Sequence, residues 1–156
     1  MNNDRVIWLI IAGLLIATSA GAVYVGTRGL RNNNPGNIRH GNSQWVGMSP
    51  EQTDSEYVQF DDPVYGIRAM VKLLRNYQSR YGLNTIAGII DRWAPPNENI
   101  TGSYITHVAQ VANVDPNAEI DINHYMIPVV ETIIKHENGS NPYTREQVTR
   151  AIQLAG

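Results

Sequence analysis

The sequence contains no cysteine, which excludes disulfide bonds, thiolate metal ligands and a thiol nucleophile. It has no excess of basic residues either: the formal net charge is −2, which argues against a surface that binds nucleic acid. The four histidines, at positions 40, 107, 124 and 136, do not have the spacing of metal ligands in zinc enzymes. The sequence therefore predicts no metal site, no cofactor and no nucleic-acid partner.

A long apolar run stands near the start of the chain, where residues 6–25 read VIWLIIAGLLIATSAGAVYV without a charged residue. A helix of this length would extend about 30 Å, the thickness of the hydrocarbon layer of a bilayer. A cleaved signal peptide is the alternative, but its apolar core is usually shorter than this run. We therefore predict a membrane anchor over residues 1–27, formed by one N-terminal transmembrane helix, and a separate domain over residues 28–156.

The domain over residues 28–156 has mainly helical patterns. Residues 28–50 are rich in Asn, Gly and Pro and predict an ordered loop. Residues 55–60 (SEYVQF) alternate in polarity, as a short strand does. Helices are predicted from Pro63 after an Asp62 cap to Tyr81, from Asn84 to Trp93, from Thr101 or Ser103 onward, over 124–137, and from a Thr144–Gln147 capping box to Leu154. The predicted fold class is mainly α with a small β element.

Three glutamates are candidates for acid–base chemistry. Glu137 lies in the last turn of a predicted helix, where the helix dipole disfavours a negative charge and so favours the protonated carboxyl. Cleavage of a glycosidic bond needs a carboxylic acid that is protonated near neutral pH. Glu98, in a Pro-rich loop beside Trp93, and Glu56, on the predicted strand, are the alternative acids. An exposed Glu137 at an ordinary helix end, with no function, is the other interpretation.

Four segments together resemble a group of phage and prophage virion proteins. They read GLRNNNPGNIRHGNSQWVGM, FDDPVYGIRAM, YGLNTIAGIIDRWAPPNEN and IIKHENGSNPY. The resemblance extends over about residues 29–155, and Asn32–Arg39 is its most specific part. That group is placed with the lysozyme-like, lytic-transglycosylase-type enzymes that degrade murein. In those enzymes the catalytic glutamate ends a helix and precedes a small residue; the segment IIKHENGSNPY is similar, which would make Glu137 the acid.

The order of the segments departs from the enzyme pattern. In lysozyme-like enzymes the glutamate helix comes first, whereas here it comes last. We take a circularly permuted, lysozyme-like α+β fold as a hypothesis, which predicts that Glu137 lies close to Asn37 and Trp45. If the catalytic helix has instead been lost, Glu98 or Glu56 must act, or the domain only binds.

The resemblance implies a membrane-anchored phage enzyme that cleaves the glycan strand of peptidoglycan during virion entry or lysis. The reaction would be that of a lytic transglycosylase or a muramidase, with Glu137 as the acid. The resemblance also implies glycan-binding residues, which are Asn34, Asn37, Trp45 and Trp93, although either Trp can equally belong to the core.

The partners implied by this interpretation are peptidoglycan strands, the membrane and other virion proteins. The implied location is a single-pass membrane protein, either in a virion membrane or in a bacterial inner membrane with the domain facing the periplasm. Two alternatives are open. One is a non-catalytic structural membrane protein of a virion that binds peptidoglycan or capsid proteins, and the other is a host envelope protein with a glycan-binding domain.

Overall fold

A computed structural model of the chain describes residues 15–18, 21–24, 26–95 and 100–156. Helices dominate these ranges, which confirms the prediction of a mainly α-helical domain. The helices are α1 (Arg28–Arg31), α2 (Pro63–Tyr81), α3 (Ile86–Trp93), α4 (Ile100–Ala112), α5 (Ile122–Asn138) and α6 (Arg145–Leu154).

Local sequence signals set the ends of α2 and α6 as predicted. The Asp62 carboxylate accepts a hydrogen bond of 2.8 Å from the backbone N–H of Val64, and Pro63 is the first helical residue. Gly82, with a φ of 66°, ends α2 in the left-handed conformation that glycine adopts at low cost. At α6 the predicted capping box forms between Thr144 and Gln147.

Helices α3 and α5 begin at other residues than predicted, and α1 was not predicted as a helix. The cap of α3 is Thr85 rather than Asn84, because the Thr85 hydroxyl accepts from the backbone N–H of Gly88. Helix α5 begins at Ile122 rather than at 124, because Asp121 caps it. Helix α1 lies inside the segment that was predicted as a loop; Thr27 caps this single turn.

Helix α5 lies at the centre of the domain and contacts α1, α2, α4 and α6. The core consists of fully buried aliphatic side chains from α2, α3 and α5, chiefly Ile67, Met70, Leu74, Ile89, Ile90, Ile133 and Ile134. Because these side chains enclose the C-terminal half of α5, the end of that helix has a fixed place against α1 and the loop after it.

The N-terminal membrane helix is a prediction that the structure corrects. Residues 15–18 and 21–24 are two strands, β1 (Leu15–Thr18) and β2 (Gly21–Tyr24), paired antiparallel with Ile16 opposite Val23. The other residues of the run, 6–14, 19–20 and 25, lie outside the described ranges. β-Branched residues in both strands favour pairing, and Gly21 disfavours a helix.

In the part of the chain that the structure describes, no helix combines the length and the apolar character needed to cross a membrane. The prediction of a single-pass membrane protein was therefore wrong, because it depended on a continuous helix through residues that pair as strands.

The strand predicted over residues 55–60 is reduced to two isolated bridges, Arg39 with Tyr57 and Met48 with Phe60. The backbone N–H of Val58 donates to Ile38 on one side, whereas the carbonyl of Gln59 accepts from Ser49 on the other. Because the segment pairs with two different neighbours in turn, no continuous ladder forms.

Candidate active site

The loop between α1 and the Arg39–Tyr57 bridge forms one side of the site. Asn33 and Asn37 have φ values of 52° and 49°, a left-handed conformation that asparagine tolerates better than most residues. Between them, Asn34 is completely buried: its amide donates to the carbonyls of Ile38 (2.9 Å) and Val58 (2.8 Å). The Asn34 side chain therefore closes the loop internally, and the prediction that it binds glycan is corrected.

Asn138, the last residue of α5, joins this loop to the helix. Its side chain is buried, and its amide donates to the carbonyls of Pro35 (2.7 Å) and Ile134 (2.9 Å). Its oxygen accepts from the hydroxyl of Thr27 (2.5 Å). The bonds with Pro35 and Thr27 hold the end of α5 against residues that are distant in sequence, and they fix the neighbouring Glu137 beside the loop.

The carboxyl group of Glu137 accepts two side-chain hydrogen bonds. The amide of Asn37 donates to one oxygen at 2.9 Å, and the indole N–H of Trp93 lies 3.3 Å from the other. Burial raises the pKa of Glu137 above its ordinary value, although both donated hydrogen bonds lower it. The sequence predicted a raised pKa from the helix dipole, whereas in the structure its cause is burial of the carboxyl group.

His136, the residue before Glu137, packs against two side chains of α4. Tyr104 of α4 stacks on His136 with ring centroids 3.9 Å apart, and His136 Nε2 lies 2.7 Å from His107 Nδ1. Burial lowers the pKa of His136 to about 4, so this ring is uncharged at neutral pH. Tyr104 is buried, and its pKa is raised by that burial and, to a smaller extent, by the charge of Glu137.

Glu137 faces an open pocket of about 640 Å³. Trp45 and Trp93 line it together with Asn37, so four of the predicted site residues meet there. The remaining lining residues include aromatic and basic side chains that the sequence did not single out, namely Tyr57, Tyr77, Arg39 and Arg92. An open pocket with aromatic walls and one partly buried carboxyl can hold a sugar chain against an acid.

The two alternative acids differ from Glu137 in position. The Glu56 carboxylate is exposed and pairs with the guanidinium of Arg28 at 2.6 Å, and it does not line the pocket. Arg28 also pairs with Asp54 at 2.7 Å, which holds the pKa of that carboxyl well below its usual range. Both contacts stabilise the loop. Glu98 lies outside the described residues.

Three residues of the site were not predicted from the sequence, namely Asn138, Arg39 and Arg92. A usable signal existed for Asn138, because an asparagine directly before the glycine that ends a helix can bond to backbone on both sides. For the two arginines no local signal existed, since their place in the pocket depends on packing. Within the described ranges no group of three or more metal-binding side chains comes together.

We predict that Asn37→Asp raises the pKa of Glu137. The substitution removes a donor that favours the ionised carboxyl and adds a second carboxyl beside it, and both changes favour the protonated form. Carboxyl-carbon NMR of labelled glutamate as a function of pH measures the shift. Asn113→Asp is the matched control. Asn113 has the same left-handed backbone (φ 53°), but its side chain is exposed and does not line the pocket. An unchanged Glu137 titration in Asn37→Asp would contradict the assigned contact.

Comparison with known proteins places the chain among phage proteins. No protein-family model matches it. A curated relative, named Protein P5, from Pseudoalteromonas phage PM2, is 40% identical over 145 residues, and the match covers 91% of this chain and 90% of that protein. The similarity therefore extends over nearly the whole of both proteins and is not confined to one motif.

Proposed function

The chain belongs to the family of Protein P5 of Pseudoalteromonas phage PM2, and from this premise we propose that it is a phage enzyme that cleaves the glycan strand of peptidoglycan. The proposal assigns it to the lysozyme-like enzymes of the lytic transglycosylase or muramidase type, acting in virion entry or lysis. One observation carries the proposal: Glu137 combines a raised pKa with a place in an open, aromatic-lined pocket.

The proposed role of Glu137 is that of general acid and then base. In the first step its proton passes to the glycosidic oxygen as the bond from the anomeric carbon to that oxygen breaks. The carboxylate that results keeps two hydrogen bonds, from Asn37 and Trp93, which stabilise the charge that it acquires. The same carboxylate then removes a proton from the hydroxyl group that attacks the anomeric carbon.

The lining of the pocket favours a transglycosylase over a muramidase. Among the described lining residues, Glu137 is the only carboxylic acid. A retaining or inverting hydrolase normally uses a second carboxylate. A transglycosylase replaces it with groups of the substrate: the N-acetyl group stabilises the anomeric centre, and the C6 hydroxyl closes a 1,6-anhydro ring. Trp45 and Trp93 supply apolar faces against which sugar rings pack.

Incubation of the full chain with purified peptidoglycan tests this function. We expect soluble fragments whose muramic acid ends resist borohydride reduction, as 1,6-anhydro ends do. Fragments with reducible ends would identify a muramidase instead. If the folded chain sediments with peptidoglycan but releases nothing, the enzymatic proposal fails, and a non-catalytic binding role in the virion replaces it.

A further inference from the structure

Two guanidinium groups line the same pocket as Glu137. Arg39 belongs to the loop that contains Asn37, and Arg92 belongs to the last turn of α3, next to Trp93. Both side chains are exposed to solvent. The pocket thus carries two positive charges from different elements, although the whole chain has a formal net charge of −2.

Tyrosine rings hold both guanidinium groups in place. The central carbon of Arg92 lies 3.9 Å from the ring centroid of Tyr81 and 5.2 Å from that of Tyr77. The corresponding carbon of Arg39 lies 4.9 Å from the ring centroid of Tyr57. Stacking on a ring occupies the face of a guanidinium and leaves its N–H edge available to an acceptor.

Neither group has a carboxylate partner among the residues that the structure describes. Arg28, which stacks on Tyr57 as Arg39 does, provides a contrast. It lies 4.6 Å from the Tyr57 centroid but bonds to both Asp54 and Glu56, so its N–H groups are already used. Arg39 and Arg92 are oriented in the same way without that neutralisation, which is the arrangement of a site for an anionic ligand.

We propose that Arg39 and Arg92 bind carboxylates that project from the glycan, so that the pocket selects strands with acidic substituents over uncharged sugar polymers. This inference rests on the proposed function, because it assumes that a glycan occupies the pocket. Peptidoglycan offers two sources of such carboxylates: the lactyl group of muramic acid when it is unsubstituted, and the free carboxyl groups of the stem peptide.

Binding measurements with three ligands test the inference. These are soluble glycan strands with stem peptides, strands from which an amidase has removed the peptides, leaving lactyl carboxylates, and chitin oligosaccharides of equal length. Calorimetry with the Glu137→Gln chain avoids cleavage during the titration. We expect at least one carboxylate-bearing ligand to bind about tenfold more tightly than chitin oligosaccharides, and high salt to reduce the difference.

The three ligands also separate the two sources. Tighter binding of stripped strands than of peptide-bearing strands assigns the lactyl carboxylate, which is free only after the peptide has been removed, and selective binding of peptide-bearing strands assigns the stem peptide. Arg39→Gln and Arg92→Gln should each weaken the affinity for the preferred ligand several-fold, because each removes one charge-assisted hydrogen bond. Neither should change the affinity for chitin oligosaccharides. Arg150→Gln, on an exposed part of α6 outside the pocket, is the matched control and should change neither.

The outcomes for the inference and for the proposed function are distinguishable. Equal affinity for all three ligands, while the wild-type chain still cleaves peptidoglycan, would overturn the inference and leave the function intact. Selective binding that Arg39→Gln and Arg92→Gln abolish, in a chain that cleaves nothing, would support the anionic site and overturn the enzyme.

Discussion

Glu137→Gln should lower the rate of peptidoglycan cleavage about a thousandfold, the usual contribution of a positioned general acid. Glutamine has nearly the same shape, but its amide has no acidic proton that could pass to the glycosidic oxygen. The side chain stays in a folded pocket, so binding of glycan strands should persist while release of fragments is lost. Fragment release over time, compared with sedimentation of the protein with peptidoglycan, measures the two properties separately.

The pH dependence of the wild-type rate gives a second test of the same residue. The acid must be protonated at the start of the reaction, so the rate falls as the pH rises through the pKa of Glu137. Because burial raises that pKa, the fall should come at a higher pH than for an exposed glutamate. Asn37→Asp, which favours the protonated form further, should move the fall to still higher pH wherever activity is retained.

The two acids that the sequence offered as alternatives serve as controls. Glu56→Gln removes an exposed contact with Arg28 outside the pocket and should leave the cleavage rate within about twofold, because exposed ion pairs contribute little. Glu98→Gln tests the other alternative. A rate that falls with Glu98→Gln and survives Glu137→Gln would remove Glu137 from the mechanism.

Much of the helical fold could be predicted, because its signals are local. The Asp62–Pro63 start of α2, the Gly82 stop and the capping box of α6 each depend on residues within one turn. The apolar run at the N-terminus misled the prediction for the opposite reason. A uniformly hydrophobic run has no periodic pattern, so the sequence does not distinguish a membrane helix from paired strands. The structure shows paired strands, with Ile16 opposite Val23.

The site could be predicted only in part. Glu137 was identified from its position at a helix end, but its pKa is raised by burial, and its carboxyl group bonds to Trp93, which is 44 residues away in sequence. Asn34 and Asn37 look equivalent in the sequence. Packing makes one an internal brace, bonded to Ile38 and Val58, and brings the other to the carboxyl group of Glu137. Contacts between distant segments determine this difference, and no local pattern records them.

Gly66→Ala should destabilise the domain by about 3 kcal/mol and lower its melting temperature by roughly 10 °C. Gly66 lies in α2 where the loop that follows α1 crosses the helix. A Cβ at this position would come within 2.0 Å of the carbonyl oxygen of Asn33 in that loop. That oxygen belongs to backbone and cannot rotate away as the end of a side chain can. The methyl group must therefore push the loop off α2.

The matched control is Gly102→Ala, in the exposed part of α4, where an added Cβ meets no described atom within 4 Å outside the backbone of its own helix. Alanine is the better helix former at both positions, by about 1 kcal/mol, so the control should be neutral or more stable. Thermal and denaturant unfolding of the two variants measures the difference, which isolates the steric clash from helix propensity. Equal stability of the two variants would show that the loop does not press on α2 at Gly66.

The same clash should reduce catalysis beyond its effect on stability. Displacement of the loop carries Asn37 away from the Glu137 carboxyl and opens the pocket to water, which removes the burial that raises the pKa. Activity should therefore fall in Gly66→Ala even at temperatures at which the variant is fully folded, and remain in Gly102→Ala. If folded Gly66→Ala cleaves peptidoglycan at the wild-type rate, the position of the loop against α2 does not govern the acid.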